Sequence, residues 1–302
     1  MNTIPNDIDF QAWYDKMEAV AMLRPAQQII QQAIALLVAE PQPPVVMPWL
    51  KLRDKFSFRP AEVTVYAGQN GSGKSLITGM IALQLLAQKH TVLIASFEMR
   101  PTTTVQRMVR QFAGTNHPSV EHYNKFAAWV GDRLWFYDRQ GEVTRQQVVG
   151  VGHYAATTYK VQHYLIDSLM KCVRGEDDFN SQKDFVSDCT TLARDTGLHV
   201  HLVHHIRKGQ TDEALPQKVD IKGSGSIADQ VDNVWMMWRN KKKERLIEAG
   251  QIVEMEEPDA MLLCEKQRNG EFEPRLRLWF DRASQQFLEK AGANPYRFDA
   301  DF

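Results

Sequence analysis

Cysteine is scarce in this 302-residue sequence, and long apolar runs are missing from it. The three cysteines, Cys172, Cys189 and Cys264, show no CxxC spacing, which predicts reduced thiols and no structural zinc. No apolar run approaches the roughly 20 residues that a membrane-spanning helix needs. The acids within "MNTIPNDIDFQAWYDKMEA" are atypical of a secretory signal or a transit peptide. We therefore expect a cytoplasmic protein without membrane partners.

Charge of one sign is lacking as well. The sequence has 36 lysines and arginines against 37 acids, so its formal net charge is −1. This balance excludes a strongly basic surface over the whole molecule, and any nucleic-acid site must be local, as with basic loops that line one face or a channel. The composition, 43% hydrophobic and 24% charged, is typical of a soluble globular protein.

The chain divides by pattern into three regions. Residues 1–48 read as a helical arm followed by a proline-rich linker, "PQPPVVMP". Residues 49–290 carry the alternating strand and helix patterns of the main domain. Residues 291–302 form a short tail, rich in acids and aromatics.

The arm holds one amphipathic helix. Pro25 suits the first helical position, and "AQQIIQQAIALLVAE" places Ile30, Ile34 and Leu37 on one stripe. Such a stripe needs an apolar partner. It could dock on the body of its own chain or on a neighbouring subunit, and the pattern alone leaves both open.

The main domain alternates short apolar runs with helical stretches. The strand candidates are "EVTVYA", "TVLIASFE", "LWFYD", "VQHYLID", "HVHLVHH" and "NVWMMW". The helical stretches cover residues 74–88, 102–112, 144–159, 181–196 and 226–231. This alternation predicts an α/β fold with a mostly parallel, twisted sheet covered by helices on both faces. "AMLLCEKQR" and "PRLRLWFD", either side of Asn269-Gly270, predict a C-terminal antiparallel hairpin.

The segment "GQNGSGKS" fits the P-loop pattern between a strand and a helix. Its glycines let backbone N–H groups surround a phosphate, and the following helix N-terminus favours negative charge. Lys74 would reach the β- and γ-phosphates, and Ser75 would bind Mg²⁺. The predicted cofactors are therefore ATP, or another nucleoside or deoxynucleoside triphosphate, and Mg²⁺. The predicted nucleotide-binding residues are Gly68, Gln69, Asn70, Gly71, Ser72, Gly73, Lys74 and Ser75.

A P-loop enzyme also needs an acid for the metal and a base for the attacking water. Asp167 ends the run "VQHYLID" and is a metal-ligand candidate; Asp138, after "LWFY", is its competitor and could equally cap the next helix. Glu98 ends "TVLIASFE", at the edge where parallel sheets bind ligands. It is either the general base or an acid that starts the next helix.

With "GQNGSGKS" and "ASFEM" together, the chain resembles the hexameric replicative DNA helicases of the RecA-like superfamily 4 type, the DnaB and Twinkle group. The likeness runs from about Trp49 to Leu288, with Twinkle-type and phage primase–helicases nearest. It implies a RecA-like P-loop NTPase fold. It also implies that Glu98 is the catalytic base and that "YLIDS" is the Walker B strand, which favours Asp167.

Three later segments extend the resemblance. "LVHHIRKG" is similar to the motif whose histidine senses the γ-phosphate, which implies His205. "EKQRNGE" is similar to the K-x-R-x-G finger, which implies Lys266 and Arg268 acting on a neighbouring subunit's nucleotide. "IKGSGSIADQVDNVWMM" is similar to a segment that begins at a DNA-contacting loop. Zinc at the clustered histidines, and plain edge-strand charge for the K-x-R pair, are the alternatives.

Two loops after strand ends could face DNA, because their cations could track phosphates when six copies converge in a ring. The candidate residues are Lys171, Arg174, Arg207, Lys208, Lys218, Lys222 and Gly223. The basic segment "RNKKKER", Arg239–Arg245, reads instead as a solvated face.

The function predicted from the resemblance is an ATP-dependent replicative helicase, forming a hexameric ring and moving 5′ to 3′ on single-stranded DNA at replication forks. Because only about 48 residues precede the core, we expect a separate primase; such compactness suits a phage or plasmid genome in a bacterial host. The rival interpretation is a RecA-like recombination ATPase that forms filaments on single strands. The tail, with Phe298, Asp299, Asp301 and Phe302, would either dock on a DNA polymerase or fold back on its own domain.

Overall fold

The computed structural model describes residues 2–3, 8–18, 24–40, 42–139, 143–173, 178–206, 214–221 and 225–299. The strands are β1 (Asn2–Thr3), β2 (Val63–Gly68), β3 (Val92–Ser96), β4 (Leu134–Phe136), β5 (His163–Asp167), β6 (His199–His205), β7 (Asn233–Arg239), β8 (Ala260–Gln267), β9 (Arg275–Asp281) and β10 (Gln286–Leu288). The helices are α1 (Phe10–Glu18), α2 (Ala26–Val38), α3 (Lys74–Ala87), α4 (Pro101–Ala113), α5 (Val120–Val130), α6 (Arg145–Tyr159), α7 (Phe179–Thr196), α8 (Gly225–Gln230) and α9 (Lys241–Glu248). Within these described ranges, no helix is long and apolar enough to cross a bilayer.

All ten of these strands join one sheet in the order β1-β4-β3-β5-β6-β2-β7-β8-β9-β10. Neighbours from β1 to β7 run parallel, and β8, β9 and β10 add antiparallel pairs. Every residue of β2 is buried, because helices cover both faces of the sheet. The predicted α/β fold, with its mostly parallel sheet and C-terminal hairpin, is confirmed.

The sheet separates two apolar cores, and β2 contributes to both by alternation. Val65 and Ala67 face the core that includes residues of α6 and α7, whereas Tyr66 faces the core that includes residues of α3 and α4. Both cores continue to the carboxyl ends of the parallel strands. The loops at that edge therefore start from well-packed positions.

The N-terminal segment divides into two parts that differ in packing. Helix α1, which sequence analysis did not predict, packs against α6 and buries Phe10, Tyr14 and Met17. Gly150 allows this contact, because a Cβ there would lie 2.0 Å from the Phe10 carbonyl oxygen. The predicted helix α2 forms where expected but has no buried residue. Its apolar stripe is therefore exposed on this chain.

The end of the described chain folds back on its own domain. Phe298 is 1% exposed and belongs to the core that contains residues of α3 and α5. Asp299 pairs with Arg297 and with Lys125 of α5. For Phe298 and Asp299 the structure therefore shows the second alternative of the sequence analysis, while Asp301 and Phe302 lie outside the described residues.

Candidate active site

The phosphate loop connects β2 to α3, and two of its glycines are required by their surroundings. A Cβ at Gly68 would lie 2.6 Å from the Met237 carbonyl oxygen, and one at Gly73 would lie 2.8 Å from the Phe287 ring. Gly73 also has a φ of +98°, a conformation that side chains other than glycine's rarely adopt. The loop backbone thus turns directly into the N-terminus of α3, as phosphate binding requires.

Lys74 lies across the loop. Its ammonium nitrogen donates to the carbonyl oxygens of Gly68 and Gln69, at 2.9 Å each. Burial lowers the pKa of Lys74 to about 8, although the nearby Asp167 and Glu98 carboxylates act in the opposite direction. This cation is therefore placed between the loop and the two predicted acids.

Asp167 meets the loop at Ser75. The Ser75 hydroxyl donates to Asp167 Oδ2 at 2.6 Å. Burial raises the pKa of Asp167, while this hydrogen bond and the charges of Lys74 and Arg107 lower it. Only β6 separates β5 from β2, whereas three strands separate β4, which precedes the competitor Asp138. The structure brings Asp167 to the loop and leaves Asp138 exposed.

Glu98 follows β3 and meets residues from the two next strands. Ser168 Oγ donates to Glu98 Oε1 at 3.1 Å, and His205 Nε2 lies 3.9 Å from the same oxygen. The Glu98 side chain remains 43% exposed, so a water molecule can reach it. The ends of β3, β5 and β6 thus bring together the predicted base, the predicted sensor and one hydroxyl that was not predicted.

Two cations of the segment 239–245 contact the phosphate loop. Arg239 Nη1 donates to the Gly71 carbonyl at 2.8 Å, and Lys241 Nζ donates to Gln69 Oε1 at 3.1 Å. The prediction of a merely solvated face is therefore wrong for these two residues. They reach the loop because β7 pairs with β2 in parallel, so both strands end at the same edge.

Lys266 and Arg268 lie at the opposite edge of the sheet from the loop. The Arg268 N–H donates to the Asp232 carbonyl, and the Asp232 N–H donates to the carbonyl of Val63, the first residue of β2. Gly68 is five residues further along β2, or about 17 Å at the usual rise of a strand. The Lys266 ammonium group donates to two carbonyls at the end of α8, and burial lowers its pKa. The structure therefore separates this pair from the other predicted catalytic residues.

Two of the predicted DNA-contacting residues are described, and both are exposed. Lys171 ends a 3-10 turn that follows β5, and Lys218 begins another turn after β6. A bridge between Ile206 and Ile221 holds the second turn near the end of β6. Both lysines therefore follow strands that end at the same edge as the phosphate loop. Outside the described residues lie Arg174, Arg207, Lys208, Lys222 and Gly223.

The buried histidines do not form a metal site. His163 Nδ1 and His201 Nε2 hydrogen-bond to each other at 3.1 Å, and His199 bonds to Thr64. Among the described residues, no group of three His, Cys, Asp or Glu side chains is arranged to hold a metal ion. The three cysteines are buried and without disulfides.

Comparison with known proteins gives the same fold. A family model described as an AAA domain matches residues 45–211. A DnaB-like replicative helicase, described together with its interactions with primase, superposes with a TM-score of 0.66 at 14% identity, covering 88% of this chain and 67% of that one. A second solved structure, an isolated helicase ATPase domain, superposes with a TM-score of 0.70 at 15% identity, covering 87% of this chain and 98% of that one. At these identities the likeness establishes the fold, and the predicted RecA-like architecture is confirmed.

Proposed function

Because the chain belongs to the AAA domain family, we propose that it is an ATP-driven replicative DNA helicase that works as a homo-oligomeric ring. The observation that carries this proposal is the meeting of Ser75 and Asp167 at 2.6 Å, between Lys74 and the exposed carboxylate of Glu98. A triphosphate bound on the loop would have its terminal phosphate on this side. The site thus has the parts of a hydrolytic phosphoryl-transfer centre.

The residues at this edge fit Mg²⁺, which prefers hard oxygen ligands. Ser75 and Asp167 would hold the ion, because their oxygens are close enough to bind the same cation. When bound, Mg²⁺ would neutralise charge on the phosphates. Lys74 would exchange its two carbonyl partners for phosphate oxygens.

Glu98 would accept the proton of the attacking water. Ser168 holds this carboxylate from one side, and His205 lies close enough to respond to its position and to the γ-phosphate. These two neighbours restrict the rotation of Glu98 without covering it. The geometry suits a base that must be oriented and yet remain open to water.

Two observations support an oligomer. Arg268 lies about 17 Å along the sheet from its own phosphate loop, so a finger role requires a neighbouring subunit's nucleotide. The stripe of α2 exposes Ile30, Ile34 and Leu37, which are 56%, 54% and 83% exposed. A surface of this kind is typical of an interface. A hexameric ring is the assembly that we propose.

DNA would pass along the edge that carries Lys171 and Lys218, where the copies of a ring would present repeated positive charge to one strand. The 5′-to-3′ direction and the replication fork as substrate follow from the resemblance. One protein of this fold is described with primase, and we propose that a separate primase and a DNA polymerase are partners here. The protein would act in the cytoplasm of a bacterial cell, and a phage or plasmid is the source that we propose for its gene.

The test combines two measurements on the purified protein. Unwinding is measured on forked DNA that carries only a 5′ or only a 3′ tail, with ATP and Mg²⁺, and negative-stain images are taken with bound nucleotide. Rings and 5′-tail-dependent unwinding support the proposal. Filaments on single strands with no unwinding would favour the recombination ATPase instead.

A further inference from the structure

The guanidinium of Arg268 is held by residues at the end of α8. Its Nη1 donates to Asp232 Oδ1 at 3.0 Å, and its Nη2 donates to the Asp229 carbonyl at 3.2 Å. The Arg268 backbone N–H donates to the Asp232 carbonyl at 2.9 Å. Three hydrogen bonds therefore fix both the backbone and the side chain of Arg268 relative to Asp229 and Asp232.

Asp232 is itself anchored. Its second oxygen, Oδ2, accepts the backbone N–H of Val63 at 2.9 Å. The Asp232 side chain is 10% exposed, whereas that of Arg268 is 40% exposed. The carboxylate is thus fixed to β2, and the guanidinium keeps part of its surface open to a ligand. Since a guanidinium binds carboxylates in a planar geometry, a fixed acid gives it a defined direction.

We propose that Asp232 is a positioning residue for the finger, setting the direction in which Arg268 points toward the nucleotide of the neighbouring subunit. The inference rests on the proposed function, because it requires Arg268 to act in trans. An exposed ion pair would add little to stability. Orientation is a different matter, since a misplacement of about 1 Å can cost on the order of 10²-fold in rate.

A competing role comes from the same carboxylate. Through Val63, Asp232 could support β2 and hence the phosphate loop of its own chain. The two roles make opposite predictions for mixed assemblies. A finger residue acts on the neighbour's nucleotide, whereas a residue that supports β2 acts on the nucleotide of its own chain.

The experiment uses full-length chains, co-expressed in pairs. Asp232→Asn keeps the size of the side chain and one oxygen for Val63, but it turns an amide toward Arg268. Alone, this variant should lose about 10- to 100-fold in kcat with an unchanged KM for ATP. With Lys74→Ala it should regain ATPase, because its intact loop meets the partner's intact Arg268. With Arg268→Ala it should regain none.

Asp259 provides a matched control. Its Oδ1 pairs with Lys243 at 2.7 Å and its Oδ2 accepts the Phe280 N–H at 2.8 Å, so it makes the same two kinds of bond away from Arg268. Asp259→Asn should cost stability but still rescue Arg268→Ala, since its finger is intact.

The outcomes separate the two proposals. If Arg268→Ala with Lys74→Ala recovers activity but Asp232→Asn with Lys74→Ala does not, Asp232 serves its own chain and the inference is wrong. If the pair of Arg268→Ala and Lys74→Ala itself stays inactive, the trans finger fails, and the inference fails with it. Should Asp232→Asn not fold, Asp232→Glu keeps the charge but displaces the carboxylate, and its rescue pattern decides in the same way.

Discussion

Ser168 Oγ donates a hydrogen bond to Glu98 Oε1 at 3.1 Å, which joins the residue after β5 to the carboxylate after β3. Ser168 is fully buried, at 0% exposure, whereas the side chain of Glu98 is 43% exposed. The fixed partner orients the carboxylate, and the open side admits water. A general base needs both properties, because it must meet its proton in one geometry.

Replacing Glu98 by glutamine should stop turnover and leave nucleotide binding intact. Glutamine keeps the length and an oxygen for Ser168, but it cannot accept the proton, so the rate of ATP hydrolysis should fall by about 10²–10⁴-fold. Steady-state ATPase and the Kd for ATP are the measurements. Ser168→Ala, which keeps the carboxylate and removes only its partner, should lose less. Hydrolysis by Glu98→Gln at nearly the wild-type rate would show that the base is another group.

The candidate site could be predicted to the extent that it depends on strand ends. Glu98, Asp167 and His205 each end an apolar run, and the carboxyl ends of parallel strands meet at one edge. Their neighbours could not be predicted in the same way. Contacts such as those of Arg239 and Lys241 with the loop depend on β7 pairing with β2, and these strands are far apart in the sequence.

The fold shows the same division. Long alternating segments predicted the central strands and most helices within a few residues. Helix α1 was missed because its apolar residues, Phe10, Tyr14 and Met17, acquire meaning only when α6 offers a groove. Helix α9 was missed because its sequence, KKKERLIE, is dominated by charge. Tertiary packing decided both cases, and local pattern could not.

Charge on the stripe of α2 should disperse the oligomer without unfolding the chain. Ile34→Asp with Leu37→Asp places two acids on the apolar stripe, and no residue of α2 is buried within its own chain. The melting temperature of the monomer should therefore stay the same, while the mass measured by analytical ultracentrifugation falls. ATPase should fall as well, because Arg268 loses its neighbour. Gln32→Asp, on the opposite side of the helix, should change none of these; an unchanged mass for the double variant would contradict the assignment.

Reversing the charge of Lys171 and Lys218 should weaken single-strand binding and flatten its dependence on salt. Each lost phosphate contact should change the slope of log K against log salt concentration by about 0.7. Binding titrations at several salt concentrations measure this slope. Lys89→Glu is the control, because Lys89 follows the far end of α3, about 20 Å from the phosphate loop. Equal effects of all three changes would indicate binding through overall charge alone.

Acid should destabilise the fold through the buried histidines. Burial lowers the pKa of His163 and His201 well below its ordinary value, and it lowers that of His199 to about 4. Around them lie Tyr66, whose pKa burial raises, and His90, whose pKa burial lowers. Arg59 and Asp232 also act on His199, in opposite directions.

The sign follows from proton binding. Between the ordinary histidine pKa of about 6.5 and the lowered folded values, the unfolded chain binds more protons, so stability is complete above this window and is lost as the pH falls through it. One unit below the ordinary value, the loss should approach about 1.4 kcal/mol per histidine. Denaturant unfolding from pH 7.5 to 5 measures it. His163→Gln should reduce the slope with pH, whatever its effect on stability itself; an unchanged slope would exclude this origin.

The C-terminal segment should separate into a structural part and a free part. Phe298 is buried in the core, and Phe298→Ala should lower the free energy of unfolding by about 3–5 kcal/mol. Asp299 is held by Lys125 and Arg297. A deletion that starts at Phe298 would therefore remove packing together with any docking peptide, so the two roles could not be told apart.

Deleting only residues 300–302 resolves this, because Phe298 and its neighbours stay in place. If these residues dock on a polymerase, the deletion should leave the melting temperature and the unwinding of forked DNA by the helicase alone unchanged. Unwinding coupled to strand synthesis by the cognate polymerase should then slow. The comparison of the two unwinding rates is the measurement, with Asp299→Asn as a control that weakens the ion pairs but keeps the terminal residues. Equal coupled rates for wild type and deletion would mean that the partner binds elsewhere.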